Sequence, residues 1–519
     1  MQKVLIDNLI RDLPQSVVEG DRTLAVTGIT HDSRAIKEGD VFVCLKGERF
    51  DGHTFAEQAL LKGAVALVVN RNGLKEVGIT LPQNSVVITV PDTRKALPYL
   101  ASTLYGNPSQ SMVVVGVTGT NGKTTVTQMI AAIMRSAGYR VGTIGTLGAD
   151  LDGDPIPSDH TTPEADHLQR LMAEMQERGA TAVVMEVSSH ALAQYRTDGV
   201  AFNAGVFTNL TRDHLDYHQT FEAYFDAKSR LFTEYPVKFP RRDGAMFISV
   251  INVNQWEGRD LVTLARGDII TYSTSRTPAV LAADEIALTP ESVRFTLVYD
   301  SGVEQYRLPI QLPIGGAFQV ANALAAIGAT LRIGVKRDVI QSGLAQMNRV
   351  PGRFEAVPTE GRGFQVIVDY AHTPDGLENL LKSAQELKPS RIIVVFGCGG
   401  DRDRVKRPMM GNLAGRMADI AIATSDNPRT EDPHAILTEV LTGMDKAQDP
   451  ALKAEIYVEP DRRKAIAFAI QQAQKGDLVL LAGKGHEDYQ IIGTEKLPFD
   501  DRKIAAEFIA QLPVAGDAK

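Results

Sequence analysis

Cysteine is what this chain has least use for: Cys44 and Cys398 are the only two in 519 residues, far apart and in no CxxC pair. That spacing excludes a zinc–thiolate site and a disulfide framework. Positive charge is also short, the net charge being -8, which excludes a broad nucleic-acid or anionic-membrane face while leaving room for local Lys/Arg clusters on a small anion. No apolar run approaches the ~20 residues of a membrane span. The opening "MQKVLIDNLIRDL" sets acids among its apolar residues and lacks a signal-peptide core. There is no internal repeat and no low-complexity tract. The expectation is a monomeric cytoplasmic protein without nucleic-acid partners. With 44% hydrophobic and 23% charged residues, the length suits about three globular domains.

Short Val/Ile-rich runs alternate with helical patterns from residue 111 onward, which predicts α/β units with parallel sheets. "SMVVVGVTG", "ATAVVMEVSS" and "FNAGVFTNL" read as buried strands, the stretch after Lys123 as a helix closed near Gly138, and Gly315 to Gly334 as another helix. After Pro351 a second series begins, with "FQVIVDYA", "RIIVVFGCG", "DIAIATSD", "EIYVE" and "DLVLLAGKG" as strands of a doubly wound sheet. Residues 1–107 read as a smaller mixed unit, Tyr105–Ser111 as a linker, and residues 236–312 as an irregular, strand-leaning periphery.

"VGVTGTNGKTTVTQMI" (Val115–Ile130) is nearly a phosphate-binding loop. The standard spelling is G-x-x-x-x-G-K-[ST], yet Val117 stands at the first glycine position, with Gly116 and Gly119 nearest. The working parts are all there. Gly119, Thr120, Asn121 and Gly122 offer backbone N–H groups, and a helix N-terminus lies behind them. Lys123 can reach outer phosphates, and Thr124, followed by Thr125, can reach Mg²⁺. A phosphorylated ligand is expected, in something other than an ordinary GTPase.

Other chemistry-bearing residues read two ways. Glu186 in "MEVSSH" ends a buried strand, where α/β enzymes bind ligands, although strand-end acids also cap helices. His214 and His218 in "TNLTRDHLDYH" are four apart, a spacing that suits either a metal pair or structural packing. With no third soft ligand nearby, a carboxylate-dominated Mg²⁺ site suits the loop better than zinc. Lys228 in "FEAYFDAKSRLF" lies among apolar neighbours of a helix, where a surface lysine is the ordinary case. In the third unit, "GCGGDRD" puts Arg402 where a dinucleotide-binding GxGxxG needs its third glycine, so that reading fails. An amino acid with an extra zwitterionic end needs Arg for its carboxylate and an acid for its ammonium; Arg402, Arg429 and Glu487 supply that pairing.

The succession "TGTNGKTT", "MEVSSH", "TNLTRDHLDYH", "AKSRLF" and "GAFQVANALAA" resembles the Mur ligase family, which also includes folylpolyglutamate synthetases. The resemblance implies ATP-dependent joining of an amino group to a carboxylate through an acyl phosphate. It implies catalytic roles for Lys123, Glu186, His214 and Lys228. Glu186, His214 and Thr124 would be Mg²⁺ ligands, joined by Lys228 as a CO₂-derived carbamate, whose formation needs the neutral amine of a buried lysine. Asn322 would lie near the adenine of ATP, and Arg353, Asp369 and His372 would close over it from the third domain. In "THDSRAIKEGDVFVCLKGERFDGHTF" the resemblance places Ser33 and the loop Gly47, Glu48, Arg49 and Phe50 near a uridine diphosphate. It puts His160, Thr161 and Thr162 with Ser188, Gln194 and Arg196 on a UDP-N-acetylmuramoyl-dipeptide. His31 and His160 depart from the Leu and Asn that bacterial relatives often carry. "DNPR" marks the members that add meso-diaminopimelate, assigning Asp426, Asn427, Pro428 and Arg429 with Arg402, Gly483 and Glu487 to that amino acid; lysine-adding members usually lack the Arg. The expected architecture is a mixed α/β UDP-substrate domain (1–107), a central P-loop ATP-binding domain with a mostly parallel sheet (108–345) and a Rossmann-like doubly wound domain binding the amino acid (346–519). The alternatives are a lysine-adding relative and a catalytically silent nucleotide-binding regulator.

Overall fold

Runs of Val, Ile and Leu too short for helices become strands buried on both faces, and three main sheets result. The structure, a computed structural model, describes residues 3–11, 13, 15–47, 50–158 and 160–513. Near the N-terminus, β1 (Val17–Glu19), β2 (Gly28–Thr30), β3 (Asp40–Val43), β4 (Ala66–Asn70) and β5 (Val87–Val90) form a sheet in the order β1-β5-β4-β3-β2. All its pairings are parallel except β1 with β5. Val41 and Val43 pack with α1 (Thr93–Leu104), while Phe42 turns to the opposite face with Ala56 and Leu67.

The central sheet has 11 strands. Its parallel heart is β6 (Val113–Thr118), β7 (Val141–Gly145), β10 (Ala182–Glu186), β11 (Ala204–Phe207), β12 (Ile248–Asn252) and β13 (Asp268–Ser273). Strands β8 (Gly148–Leu151) and β9 (Asp154–Ile156) extend it antiparallel beyond β7. On the far side run β14 (Leu281–Leu288), β15 (Val293–Asp300) and β16 (Gln305–Leu312), giving the order β9-β8-β7-β10-β6-β11-β12-β13-β14-β15-β16. Along β6, Val115 and Val117 enter one core with α2 (Lys123–Ser136) and α6 (Phe318–Ile333). Val114 enters the other, with α3 (Ala165–Glu177) and α4 (Phe221–Thr233).

Residues 236–312 are therefore far more regular than expected: β12, α5 (Trp256–Leu264), β13 and three eight-residue strands. Exposed polar and charged residues interrupt the apolar ones along β14 to β16, whose outer faces meet water, and this muted the strand pattern. The Tyr105–Ser111 linker is likewise held. Arg241 donates to the carbonyls of Ser109 and Met112, each at 2.7 Å, and of Gln110 at 2.9 Å. The helix expected from Gly315 starts at Phe318, because Gly316 adopts φ +98° before it.

The last sheet has the order β17-β18-β22-β19-β20-β21, made of Glu355–Val357 (β17), Gln365–Asp369 (β18), Ile392–Cys398 (β19), Ile420–Ser425 (β20), Glu455–Val458 (β21) and Leu478–Ala482 (β22). It is parallel apart from edge strand β17. Helices α7 (Pro374–Glu386), α8 (Lys406–Met417) and α9 (Pro433–Thr442) cover one face. Helices α10 (Arg462–Gln472) and α11 (Asp501–Ala510) cover the other, the doubly wound arrangement. Among the described residues no helix is long and apolar enough to cross a membrane.

Candidate functional site

Val117 is a core residue of β6, paired with Glu186 on one side and Val206 on the other. The left-handed turns fall at Gly119 (φ +147°) and Gly122 (φ +86°). A Cβ on Gly119 would come within 1.8 Å of Thr208 Oγ1, and one on Gly122 within 2.5 Å of Asn322 Oδ1. The loop is braced from β11: Asn209 Oδ1 accepts the Asn121 N–H at 2.9 Å, and the Thr208 hydroxyl donates to Asn121 O at 2.6 Å. Helix α2 begins at Lys123, so its first-turn N–H groups, lacking intrahelical partners, face the cavity ahead.

Two lysines converge here, one half-buried and one buried. Lys123 Nζ donates to the carbonyls of Gly119 (3.0 Å) and Thr120 (2.8 Å). Lys228, on α4 and only 1% exposed, donates to the same Gly119 carbonyl at 2.8 Å and lies 4.7 Å from the Tyr224 ring centre. Burial, reinforced by the charge of Lys123 and opposed by Asp213, holds the Lys228 amine well below the ordinary lysine range. Lys123 is lowered too, by burial and by Arg353, against Glu186 and Asp213.

Glu186 ends β10 and is buried; its carboxylate accepts the Thr146 N–H at 2.8 Å and the Thr146 hydroxyl at 3.1 Å. Its partner is thus the turn after β7, not a helix N-terminus. His214 sits in the left-handed region (φ +55°), with Nε2 3.3 Å from Asp213 Oδ2. Burial pushes its imidazole down to about 4, with Asp213 opposing. The two histidines part company. His214 lines the cavity, whereas His218 packs behind it, 3.0 Å from Ser189 Oγ and against the Tyr224 ring. No group of three or more His, Cys, Asp or Glu placed for a metal occurs among the described residues. The Thr124 hydroxyl, the Glu186 carboxylate and the His214 imidazole line one cavity, a hard donor set suited to Mg²⁺ completed by water and phosphate oxygens.

The cavity's far wall comes from the last sheet. Arg353 Nη2 donates to Thr124 Oγ1 at 3.0 Å, its guanidinium lies 4.4 Å from the Tyr370 ring centre, and its buried Nη1 has no partner. Asp369 accepts the N–H groups of Phe354 (2.7 Å) and Ala371 (2.9 Å), and burial raises its carboxyl. His372 is lowered by burial and by Lys406, whose Nζ donates to the His372 carbonyl at 3.0 Å. Asn322, held by Gln319 at 2.7 Å, and Thr125 line the same cavity; of the expected nucleotide set only Gly119 does not, its carbonyl being taken by the two lysines behind the loop. Asn121 reaches Asp375 at the start of α7 at 2.6 Å.

A second cavity of about 570 Å³ adjoins the first, and Asp213, His214, Tyr370 and His372 line both. Its walls carry Arg402, Asp426, Asn427, Arg429, Gly483 and Glu487, as expected, and also Lys406, Asp403 and Gln194. Pro428 stays in the wall, where a Cβ on Gly400 would come within 1.9 Å of its carbonyl oxygen. The glycines of "GCGGDRD" thus let β19 approach the loop after β20; they cradle no dinucleotide. Arg429 takes φ +51° and donates to the Gly400 carbonyl at 2.9 Å. Burial, and Arg402 beside it, lower its guanidinium. Asp426 Oδ2 is buried without a partner.

The remaining expected residues trace a path toward the N-terminal sheet. Thr161 meets Thr146 at 3.3 Å, Thr162 donates to the Glu186 carbonyl at 2.8 Å and accepts the Ser188 N–H at 3.1 Å, and Arg196 donates to Gln194 at 2.7 Å and pairs with Glu164 at 3.0 Å. His160 is exposed. Ser33, whose carbonyl accepts from Lys62, and Gly47 and Phe50 line neither cavity; Phe50 is 72% exposed. Glu48 and Arg49 lie outside the described residues. His31 bonds through Nδ1 to Asp166 Oδ2 on α3 at 2.8 Å. Residues that sequence reasoning missed are Asp213, Thr146, Tyr370, Lys406 and Lys484. "DH" and "GKGH" spell two of them, Asp213 and Lys484, but nothing in the sequence says what either one meets.

A glycine-loop cavity opening into a second, charged cavity is the arrangement of an ATP-dependent ligase, and the comparisons with known proteins give that class. The chain belongs to the Mur ligase family: residues 25–105 match the Mur ligase family catalytic domain, 117–330 the Mur ligase middle domain and 352–485 the Mur ligase glutamate ligase domain. It is 44% identical over 501 residues to the UDP-N-acetylmuramoyl-L-alanyl-D-glutamate–2,6-diaminopimelate ligase of Syntrophomonas wolfei, covering 96% of this chain and 98% of that one. With the ligase of the same name from Geobacter sulfurreducens it shares 45% over 514 residues, covering 96% and 97%. A solved structure bearing that ligase name superposes with a TM-score of 0.68 at 32% identity, over 98% of this chain and 99% of the other.

Proposed function

We propose that this chain adds meso-2,6-diaminopimelate to UDP-N-acetylmuramoyl-L-alanyl-D-glutamate, converting ATP to ADP and phosphate, as a cytoplasmic step of peptidoglycan precursor synthesis. The observation that carries the reading is the pair of cavities meeting at Asp213, His214, Tyr370 and His372. A carboxylate at that junction is within reach of a phosphate on one side and an amine on the other. Its oxygen attacks the γ-phosphorus, the ADP oxygen leaves, and an acyl phosphate forms; the amine nitrogen then attacks the acyl carbon, gives up a proton to the departing phosphate or water, and phosphate departs with the C–O electron pair.

The α2 N-terminus and Lys123 hold the outer phosphates, and the unpartnered Arg353 Nη1 faces the charge that develops on the transferred group. Thr124, Glu186 and His214 would hold Mg²⁺, which would supply charge neutralisation there. Lys228, whose amine burial holds well below the ordinary lysine range, is suited to hold CO₂ as a carbamate, which would add an anionic oxygen to that donor set. Arg402 and Arg429 receive the distal carboxylate of the amino acid and Glu487 its ammonium. Arg196, Gln194, Ser188 and Thr162 hold the peptide, and Ser33 with Gly47–Phe50 the uridine diphosphate. Contact between the last sheet and the loop shields the acyl phosphate from water.

Assaying the purified protein with diaminopimelate and lysine in parallel tests this. Preference for diaminopimelate by roughly 100-fold or more is expected from an arginine-lined site left unpaired by lysine; equal or better use of lysine overturns the substrate.

A further inference from the structure

Lys484 follows Gly483 in the turn after β22 and is fully buried (0% exposed), lining neither cavity. A buried ammonium needs compensation, and here it is specific. Nζ donates to Asn427 Oδ1 and to Glu487 Oε2, each at 3.1 Å. Asn427 Nδ2 donates to the same Oε2 at 2.9 Å, while its Oδ1 also accepts the Ile491 N–H at 2.9 Å. Two donors on Oδ1 fix which way the amide points. Two donors on Oε2 leave Glu487 Oε1 as the oxygen for a cavity ligand.

We infer that Lys484 is a positioning residue for amine selection. It touches no substrate, but it fixes Glu487 as an oriented carboxylate, so that the site demands an ammonium beside the distal carboxylate. This rests on the reading that the cavity takes diaminopimelate. Removing Lys484 leaves the arginines and the nucleotide cavity in place, yet leaves Glu487 held by Asn427 alone and strips Asn427 Oδ1 of its charged donor, so that both side chains lose their fixed orientation.

The sensitive probe is 2-aminopimelate, which keeps the attacking amine and both carboxylates but lacks the distal ammonium. Wild type should prefer diaminopimelate over it strongly in kcat/KM. In Lys484→Met that preference should shrink by roughly 10-fold or more, the size of a hydrogen bond to a charged group. The change should fall mainly on KM for diaminopimelate. Lys484→Arg, which keeps a cation, should recover part of the preference, and Lys484→Met added to Glu487→Gln should change it no further. An equal fall for both substrates, as loss of folded protein would give, overturns the inference; so does an unchanged ratio. Wild-type enzyme that uses 2-aminopimelate as well as diaminopimelate instead overturns the substrate reading itself.

Discussion

One residue can carry a whole conformational requirement. Val117 stands where the usual spelling puts glycine because it is needed in the core; the turn is made by Gly119, whose φ and closeness to Thr208 admit no side chain. The spelling made the loop legible, since phosphate binding needs only local backbone, a lysine and a helix start. Lys228 was not legible from its own residues. An amphipathic helix places a lysine in solvent as readily as in a core, and its burial depends on Tyr224 and the Gly119 carbonyl more than 100 positions away. If Lys228 acts as a carbamate, Lys228→Ala should lose activity by about 100-fold or more, and small carboxylates such as formate or acetate should restore part of it by entering the vacated space. Full activity of the unrescued variant would refute that role.

At the level of elements, parallel strands were read well because burial on both faces leaves uninterrupted Val/Ile runs. Strands β14 to β16 were not, because one face is wet and charges interrupt the pattern. The amino-acid site followed the same division. "DNPR" announced its charges, but the contacts that shape it join three separate strand ends: Gly400 after β19, Pro428 and Arg429 after β20, and Lys484 after β22. No spacing rule links such positions. The close approach of Gly400 to the Pro428 carbonyl gives a test. Gly400→Ala must push the "DNPR" loop outward, a strain of about 1–3 kcal/mol. KM for the amino acid should rise roughly 5- to 100-fold while KM for ATP stays within about 2-fold. Comparable loss for ATP would mean that the two cavities do not separate as drawn.

Across the whole molecule, the central and last sheets present loops to a common space while the N-terminal sheet stands beside it, and specific side chains join the three. Arg353 to Thr124 and Asp375 to Asn121 join the last sheet to the central one. The N-terminal sheet is joined through α1, packed with Ala165 of α3, and through the bond from His31 to Asp166. That bond has a pH signature. Burial works against the charged imidazole, but hydrogen bonding and attraction to Asp166, with Glu164 and Asp32 adding, raise it above its ordinary value; Asp166 is correspondingly lowered. A raised histidine contributes stability that is complete below its unfolded value of about 6.5 and is lost as pH climbs through the folded one. The lowered aspartate keeps its contribution until pH falls well below about 4. Docking of the N-terminal sheet should therefore be firmest near pH 5.5 and weaken toward 8.5. His31→Leu removes this dependence and leaves other titrations to cancel. The melting-temperature difference, wild type minus variant, should then fall steadily from pH 5.5 to 8.5. With His31 about one-third exposed, solvent screening holds the change to about 1 kcal/mol. A difference that stays flat or rises with pH would show that the imidazole is not charged against Asp166, leaving apolar packing between α1 and α3 as what docks the N-terminal sheet.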